Sequence, residues 1–211
     1  KLQQALAFHA RGQLALAERF YREILAQAPN HFDSLHLLGV LEGQRNNSAL
    51  ALELIDRALR IDPSSADAHS NAGNALRDLK RPEEALAAFD RALQLRPNFA
   101  DALLNRGNAL QDLKRPKEAL AAYDRALATK PDYAKALYSR GSALEQSQRH
   151  EEAIADFKKL LAINSLHDYA SGRLLHMQLH CCEWAGRDQS AAQIVQGVRA
   201  GKRADFPFSL Q

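Results

Sequence analysis

Two ladders of asparagine run through this chain at one fixed interval: Asn71 and Asn105 are followed in phase by Ser139, and Asn74 and Asn108 by Ser142. A side-chain amide carries both donors and an acceptor. That is the chemistry needed to hold an extended polypeptide by its backbone, with little regard to its side chains. A third ladder, Asp33, Asp67 and Asp101, is broken at its next step by Lys135. Asparagine near a helix start also serves as a local cap or a bridge between helices. Asn71 and Asn105 are expected to face a peptide, whereas Asn74 and Asn108 are the better candidates for bridging neighbouring helices.

One other cluster has chemistry-bearing types. His176 and His180 stand one helical turn apart and are followed by Cys181 and Cys182, so two imidazoles on one helical face and a thiolate could hold zinc. The pattern lacks the glutamate of H-E-x-x-H and any second Cys pair, and a helix packing soft residues on the end of the array accounts for it. No metal or other cofactor is expected. The chain has no glycine-rich phosphate loop, no G-x-S-x-G elbow and no nucleophile-base set. Glu83-Glu84 and Glu151-Glu152 fall at helix starts, where the positive end of the helix dipole explains them. The chain itself is not expected to catalyse a reaction.

The elements that position these residues follow from the same period. Pro29, Pro63, Pro97 and Pro131 recur at that interval, as do Gly39, Gly73, Gly107 and Gly141, Ala51, Ala85, Ala119 and Ala153, and Ile55, Phe89, Tyr123 and Phe157. Proline cannot continue a helix and biases the residue before it away from helical geometry, so it marks the end of each unit. In the 66–99 unit a first helix over about Ala66 to Leu79 places Ala72, Gly73, Ala75 and Leu76 on one face. A second helix starts at Arg81-Pro82-Glu83-Glu84, with proline in the first turn. Ala85, Ala88, Phe89, Ala92 and Leu93 then follow at helical spacing as its core stripe. Gly73 and Ala85 let the two helices of a unit approach, and Phe89 fills the gap toward the next unit.

Length and composition agree. The 211 residues are 46% hydrophobic but only 7% aromatic, which suits a stack of small units with small interfacial residues. Residues 1–31 supply part of a first unit, and 32–65, 66–99, 100–133 and 134–167 are complete ones. Residues 168–211 read as capping or linker helices. Because Lys1 falls inside a helix, the chain reads as a piece of something longer. Its first helix, carrying Leu2, Leu6 and Phe8, is expected to be sticky and to favour self-association through residues 1–31. No apolar run is long enough to cross a bilayer, so no membrane span is expected. The net charge of +3 is spread without a basic block, which argues against nucleic acid. Two adjacent cysteines make no disulfide framework, which suits a reducing compartment and a cytoplasmic location.

The period, its small residues and its closing proline resemble the tetratricopeptide repeat. That resemblance implies an all-α, right-handed superhelical solenoid whose first helices line a concave, protein-binding groove. In the turn between helices the family often has glycine, but this chain has Lys80, Lys114 and Gln148. A left-handed non-glycine residue costs roughly 1–2 kcal/mol, so a turn of different build is expected. The phrases ADAHSNAGNAL and FADALLNRGNAL resemble the repeats of O-linked N-acetylglucosamine transferases. Cys182-Glu183-Trp184 and Pro207-Phe208 resemble the joint before the catalytic domain of bacterial relatives, with Glu183 where they have aspartate. On that resemblance the chain is the acceptor-recognition arm of a glycosyltransferase; Asn71 and Asn105 contact peptide backbone, and Asp67 and Asp101 influence its side chains. The alternative is a free-standing scaffold. A chaperone-tail clamp fits less well. Asn74, Asn105 and Lys135 occupy three of its five positions, but Ser70 and Ser139 replace two cations, forfeiting charge-assisted bonds of roughly 1.5–3 kcal/mol each.

Overall fold

The computed structural model describes residues 1–165, 167, 169–181 and 187–199, with the backbone alone given at 180, 187–190, 193 and 197. Among the described residues every regular element is an α-helix, and there are twelve of them. They fall into two units that divide between Leu113 and Lys114.

The first unit holds α1 (Leu2–Ala10), α2 (Leu14–Gln27), α3 (Phe32–Gln44), α4 (Ser48–Ile61), α5 (Ala66–Asp78), α6 (Pro82–Leu95) and α7 (Ala100–Asp112). Helices α1 and α2, α3 and α4, and α5 and α6 pack as antiparallel pairs, and each pair stacks on the next through α2–α3, α4–α5 and α6–α7. Direct contacts of α5 with both α3 and α7 make these three odd-numbered helices one layer of the first unit. The second unit holds α8 (Pro116–Thr129), α9 (Ala134–Gln146), α10 (His150–Ile163), α11 (Ala170–His180) and α12 (Arg187–Arg199). Each of these packs on the one that follows it.

The α5–α6 pair shows why this sequence folds this way. Ser65 caps α5 by accepting a hydrogen bond from the Ala68 amide at 3.2 Å, which satisfies one of the orphan donors at a helix start. Pro82 opens α6, where its missing N–H costs nothing. Arg81, just before it, holds Glu84 in a bidentate pair at 2.6 and 2.7 Å. The same Arg-to-Glu pairing starts α8 and α10, as Arg115 with Glu118 and Arg149 with Glu152. The predicted stripe on α6 is the core: Ala85, Phe89 and Ala92 are wholly buried and Leu93 nearly so, while Ala88 packs at its edge. Phe89 works in two directions. Its ring lies against Gly73 of its own pair, so close that a β-carbon there would sit 2.7 Å from it, and it also clusters with Ala109 of α7.

The turns correct one expectation. Lys80, Lys114 and Gln148 adopt left-handed backbone with φ of 61°, 56° and 59°, as do Gly12 and Asn46 at the same interval. The turn is therefore built alike with and without glycine. The reason is the hydrogen bonding that follows it: the Arg81 amide donates to the Leu76 carbonyl, and that of Arg149 to Leu144, both at 2.9 Å. This is the six-to-one bond of a Schellman closure, and capping the helix outweighs a strain of about 1 kcal/mol. At the other end of the first unit, Leu2 and Phe8 pack inward on the core around Tyr21 and Leu35, and Phe8 stacks on Phe20 at 5.5 Å. Only Leu6 of the three supposedly sticky residues is absent from that packing.

Candidate functional site

The candidate residues of the first unit lie on two adjacent members of the odd-helix layer: Asp67, Asn71 and Asn74 on α5, and Asp101, Asn105 and Asn108 on α7. All four asparagines are half-buried, whereas Asp101 is exposed. Alanine, glycine and leucine take the packing positions of both helices, Ala72, Gly73, Ala75 and Leu76 on α5 and Leu103, Leu104, Gly107 and Leu110 on α7. The amides are thereby left at the edge of the core rather than within it.

Asn71 is tied to the neighbouring helix. Its Nδ2 lies 2.9 Å from Nε2 of His36 on α3. An amide NH2 can only donate, so Nε2 accepts and the imidazole is neutral. Burial pushes the His36 pKa below its ordinary value, with Asp67 and Asp33 opposing that shift. The bond holds one end of the Asn71 amide and leaves Oδ1 available. Asp67 is held by Arg96, just after α6, in a bidentate pair at 3.0 and 2.7 Å. That guanidinium keeps the carboxyl below the usual carboxylate range, and it lies 4.5 Å over the Phe99 ring. Asn74 and Asn105 make no side-chain hydrogen bond among the described residues. It is thus Asn71 of the asparagines on α5 that bridges helices, and Asn74 that stands open.

Asn71 and Asn74 line a cleft of about 260 Å³ between α3, α4 and α5. Its apolar wall comes from Val40, Ala51, Ile55 and Ala75, its polar one from Gln44 and Asp78 as well as the two amides, and Gly39 and Gly43 face it. Sequence reasoning missed Gly43, Gln44, Asp78 and His36. The signal for Gly43 was present: in its register α5, α7 and α9 have Arg77, Gln111 and Glu145. The absent side chain opens the cleft.

In the second unit, Ser139 is half-buried and Lys135 exposed on α9. The Ser142 hydroxyl donates to the Tyr138 carbonyl at 2.8 Å and accepts from Arg173 of α11 at 3.0 Å. Arg173 also pairs with Glu145 at 2.7 Å and lies over the Tyr138 ring. One further repeat interval from Ser139 reaches Arg173, so α11 keeps the register beyond Ser165, where the sequence pattern fades. This part of the α9 surface is engaged by the protein itself.

Of the supposed zinc cluster, Cys181 is exposed and Met177, between the histidines, is buried with its sulfur 3.2 Å from Nδ1 of His150. Among the described residues no three histidine, cysteine or acidic side chains gather to hold a metal. No helix there is long and apolar enough to cross a membrane. Cys182, Glu183, Trp184, Pro207 and Phe208, and the side chain of His180, lie outside the described residues.

Comparison with known proteins fits this geometry. The tetratricopeptide repeat family model matches residues 104–167, and a second TPR repeat model matches 73–114. Comparison with curated protein sequences gives no match. Among solved structures, MamA is 27% identical over 76% of this chain and 94% of its own, with a TM-score of 0.68. PilF of Pseudomonas aeruginosa is 21% identical over 94% of this chain and 89% of its own, with a TM-score of 0.83. YrrB, described as a TPR protein with an unusual peptide-binding site, is 21% identical over 85% of this chain and 91% of its own, with a TM-score of 0.64. The paired helices, the glycine-to-aromatic contacts and the matching family models together identify residues 73–167 as tetratricopeptide repeats.

Proposed function

We propose that the odd-helix face of the first unit captures an extended polypeptide by its backbone, with Asn71, Asn74 and Asn105 supplying the amides. The observation that carries this reading is the state of those amides. Asn74 and Asn105 make no side-chain hydrogen bond among the described residues, and Asn71 is oriented by His36 with its oxygen left over, beside an open cleft. Half-buried amides with unspent donors and acceptors are suited to a partner that brings its own N–H and C=O groups. Asn108 and Asp101 continue the same face on α7. Asp67 and Asp101 act on the partner's side chains, Asp67 with its charge balanced by Arg96. In the second unit, taken by itself, Ser139, in phase with Asn71 and Asn105, and Lys135 are peptide-contacting candidates on α9.

A narrower form of the proposal is that the chain is the acceptor-recognition arm of a glycosyltransferase. It rests on the ADAHSNAGNAL and FADALLNRGNAL phrases and on Cys182-Glu183-Trp184 and Pro207-Phe208. Sequencing the reading frame beyond Gln211 tests it: a sugar-nucleotide domain supports the arm, and a nearby stop codon supports a free-standing scaffold.

The broader reading is tested with reduced, carboxymethylated ribonuclease A, a chain that stays extended. Binding is compared for the wild type and the Asn71→Ala/Asn105→Ala double variant, with melting temperatures measured alongside. Weaker binding by roughly 0.5–1.5 kcal/mol per lost neutral hydrogen bond, in a variant that stays folded and whose melting temperature falls only by the lost Asn71–His36 bond, is the expected result. Unchanged affinity in a folded variant removes these residues from the site.

A further inference from the structure

We propose that the cleft between α3, α4 and α5 is a specificity pocket for a single basic side chain, lysine or arginine, of the captured polypeptide. The proposal rests on the backbone-capture reading above and adds to it a choice of residue.

Size comes first. At about 260 Å³ the cleft is smaller than the roughly 300–1,000 Å³ of small-molecule and cofactor sites, but roomy for one side chain. Its chemistry is divided. Val40, Ala51, Ile55 and Ala75 offer an apolar wall, and Asp78, an exposed acidic residue, is also on the lining. That carboxylate makes no ion pair or hydrogen bond among the described residues; the neighbouring Arg77 is directed elsewhere, to Asp112 at 3.3 Å. No lysine, arginine or histidine lines the cleft. A long aliphatic stem ending in a cation matches this division, because lysine and arginine lay their methylenes on apolar surface and keep the charge at the wet end. An acidic side chain would meet Asp78 with like charge. A purely aliphatic one would fill the wall and leave the carboxylate unused.

Gly43 also sets this cleft apart in the repeat register. Gly43 stands where α5, α7 and α9 have Arg77, Gln111 and Glu145, side chains long enough to fill the space that Gly43 leaves. Backbone capture can recur along the layer, whereas residue choice is made here. The device therefore sets the register in which the polypeptide lies.

The experiment uses a short, uncharged glycine-serine-alanine host peptide, blocked at both ends, with lysine, norleucine or glutamate at its centre. Binding is followed by titration of the Asn71 and Asn74 side-chain amide signals in NMR spectra of the full chain. The lysine peptide is expected to bind about threefold to fivefold more tightly than norleucine, the range of a solvent-exposed ion pair, and the glutamate peptide most weakly. The preference for lysine should fall at high salt and vanish in Asp78→Asn. Gly43→Gln, which installs the residue of α7 at this register and favours the helix, should weaken the lysine peptide about tenfold, the equivalent of roughly two buried methylenes. Equal binding of all three peptides, with Asn74→Ala weakening each, overturns the pocket and leaves backbone capture standing. A lysine preference that survives Asp78→Asn also overturns it. Absence of any amide shift with every peptide overturns both readings.

Discussion

Three helical glycines differ chiefly in what a β-carbon would meet, and replacing each with alanine should separate their roles. Alanine gains about 0.8–1.0 kcal/mol over glycine inside a helix. At Gly73 that gain is opposed, because the new carbon would lie 2.7, 2.8 and 2.9 Å from three ring carbons of Phe89. The ring has nowhere to go, being wholly buried among Leu76, Ala85 and Ala109. Overpacking of this kind costs about 1–3 kcal/mol, and with contacts this short the upper part of that range applies. The net effect of Gly73→Ala is a loss of about 1–2 kcal/mol, or about 2–8 °C in melting temperature for a chain of this size. At Gly141 the contacts with Phe157 are 3.1, 3.1 and 3.4 Å, so the two effects should nearly cancel. At Gly43 the one neighbour is the Ala51 β-carbon at 3.8 Å. Gly43→Ala should therefore stabilise by about 0.5 kcal/mol, half the interior value because it sits one residue from the end of α3. Urea denaturation followed by far-ultraviolet circular dichroism reads all three. A Gly73→Ala/Phe89→Leu double variant should recover part of the loss, with a favourable coupling of about 1 kcal/mol. If Gly73→Ala stabilises as much as Gly43→Ala, the glycine-to-aromatic contact does not set the spacing of the helix pair.

Other expectations follow from single side chains. Ser34 is wholly buried with an unpartnered hydroxyl, where α5, α7 and α9 have the equally buried Ala68, Ala102 and Ala136; Ser34→Ala should stabilise by about 1–3 kcal/mol in the same denaturation assay. Asp156, only 3% exposed, holds Arg140 through two bonds of 2.8 and 2.5 Å, and Arg140 also reaches Asp124 at 2.6 Å. Asp156→Ala leaves that cation half-paired and should cost about 3 kcal/mol, the lower end for a broken buried pair, with Arg140→Met restoring part of the loss. The third concerns pH. The His36 pKa is lowered in the folded state from 6.5, so the unfolded chain takes up its proton first, and stability present above 6.5 is lost as pH falls through that value. Melting temperature should thus begin to drop below pH 6.5, before the carboxylates titrate, and His36→Gln should flatten that part of the profile while keeping an acceptor for Asn71.

Much of this architecture is legible in the sequence because it depends on one residue per unit recurring at one interval. The prolines end units, and the Gly73-to-Phe89 contact is repeated at the same spacing by Gly141 and Phe157. The turns are where propensity misleads. Lys80 and Gln148 look wrong for left-handed backbone, yet the closing hydrogen bond from the next residue holds them there. The site is less legible for a different reason. Whether Asn71 is open depends on His36, which lies far back in the chain and on another helix, and the repeat itself supplies only Ser70 and Leu104 at that register in α5 and α7. The cleft is harder still, since Gly43 creates it by lacking a side chain, and a missing side chain carries no chemical signature of its own.

If the asparagines of α5 and α7 hold a polypeptide by its backbone, the side-chain amide signals of Asn71, Asn74 and Asn105 report on it directly. With 15N-labelled protein titrated with reduced, carboxymethylated ribonuclease A, the Asn74 and Asn105 amide protons should move downfield and saturate together as they donate to new carbonyl partners. Asn71 Nδ2, already bonded to His36, should move less. Saturable binding with all three amide signals unmoved would rule these asparagines out as the backbone-capturing groups.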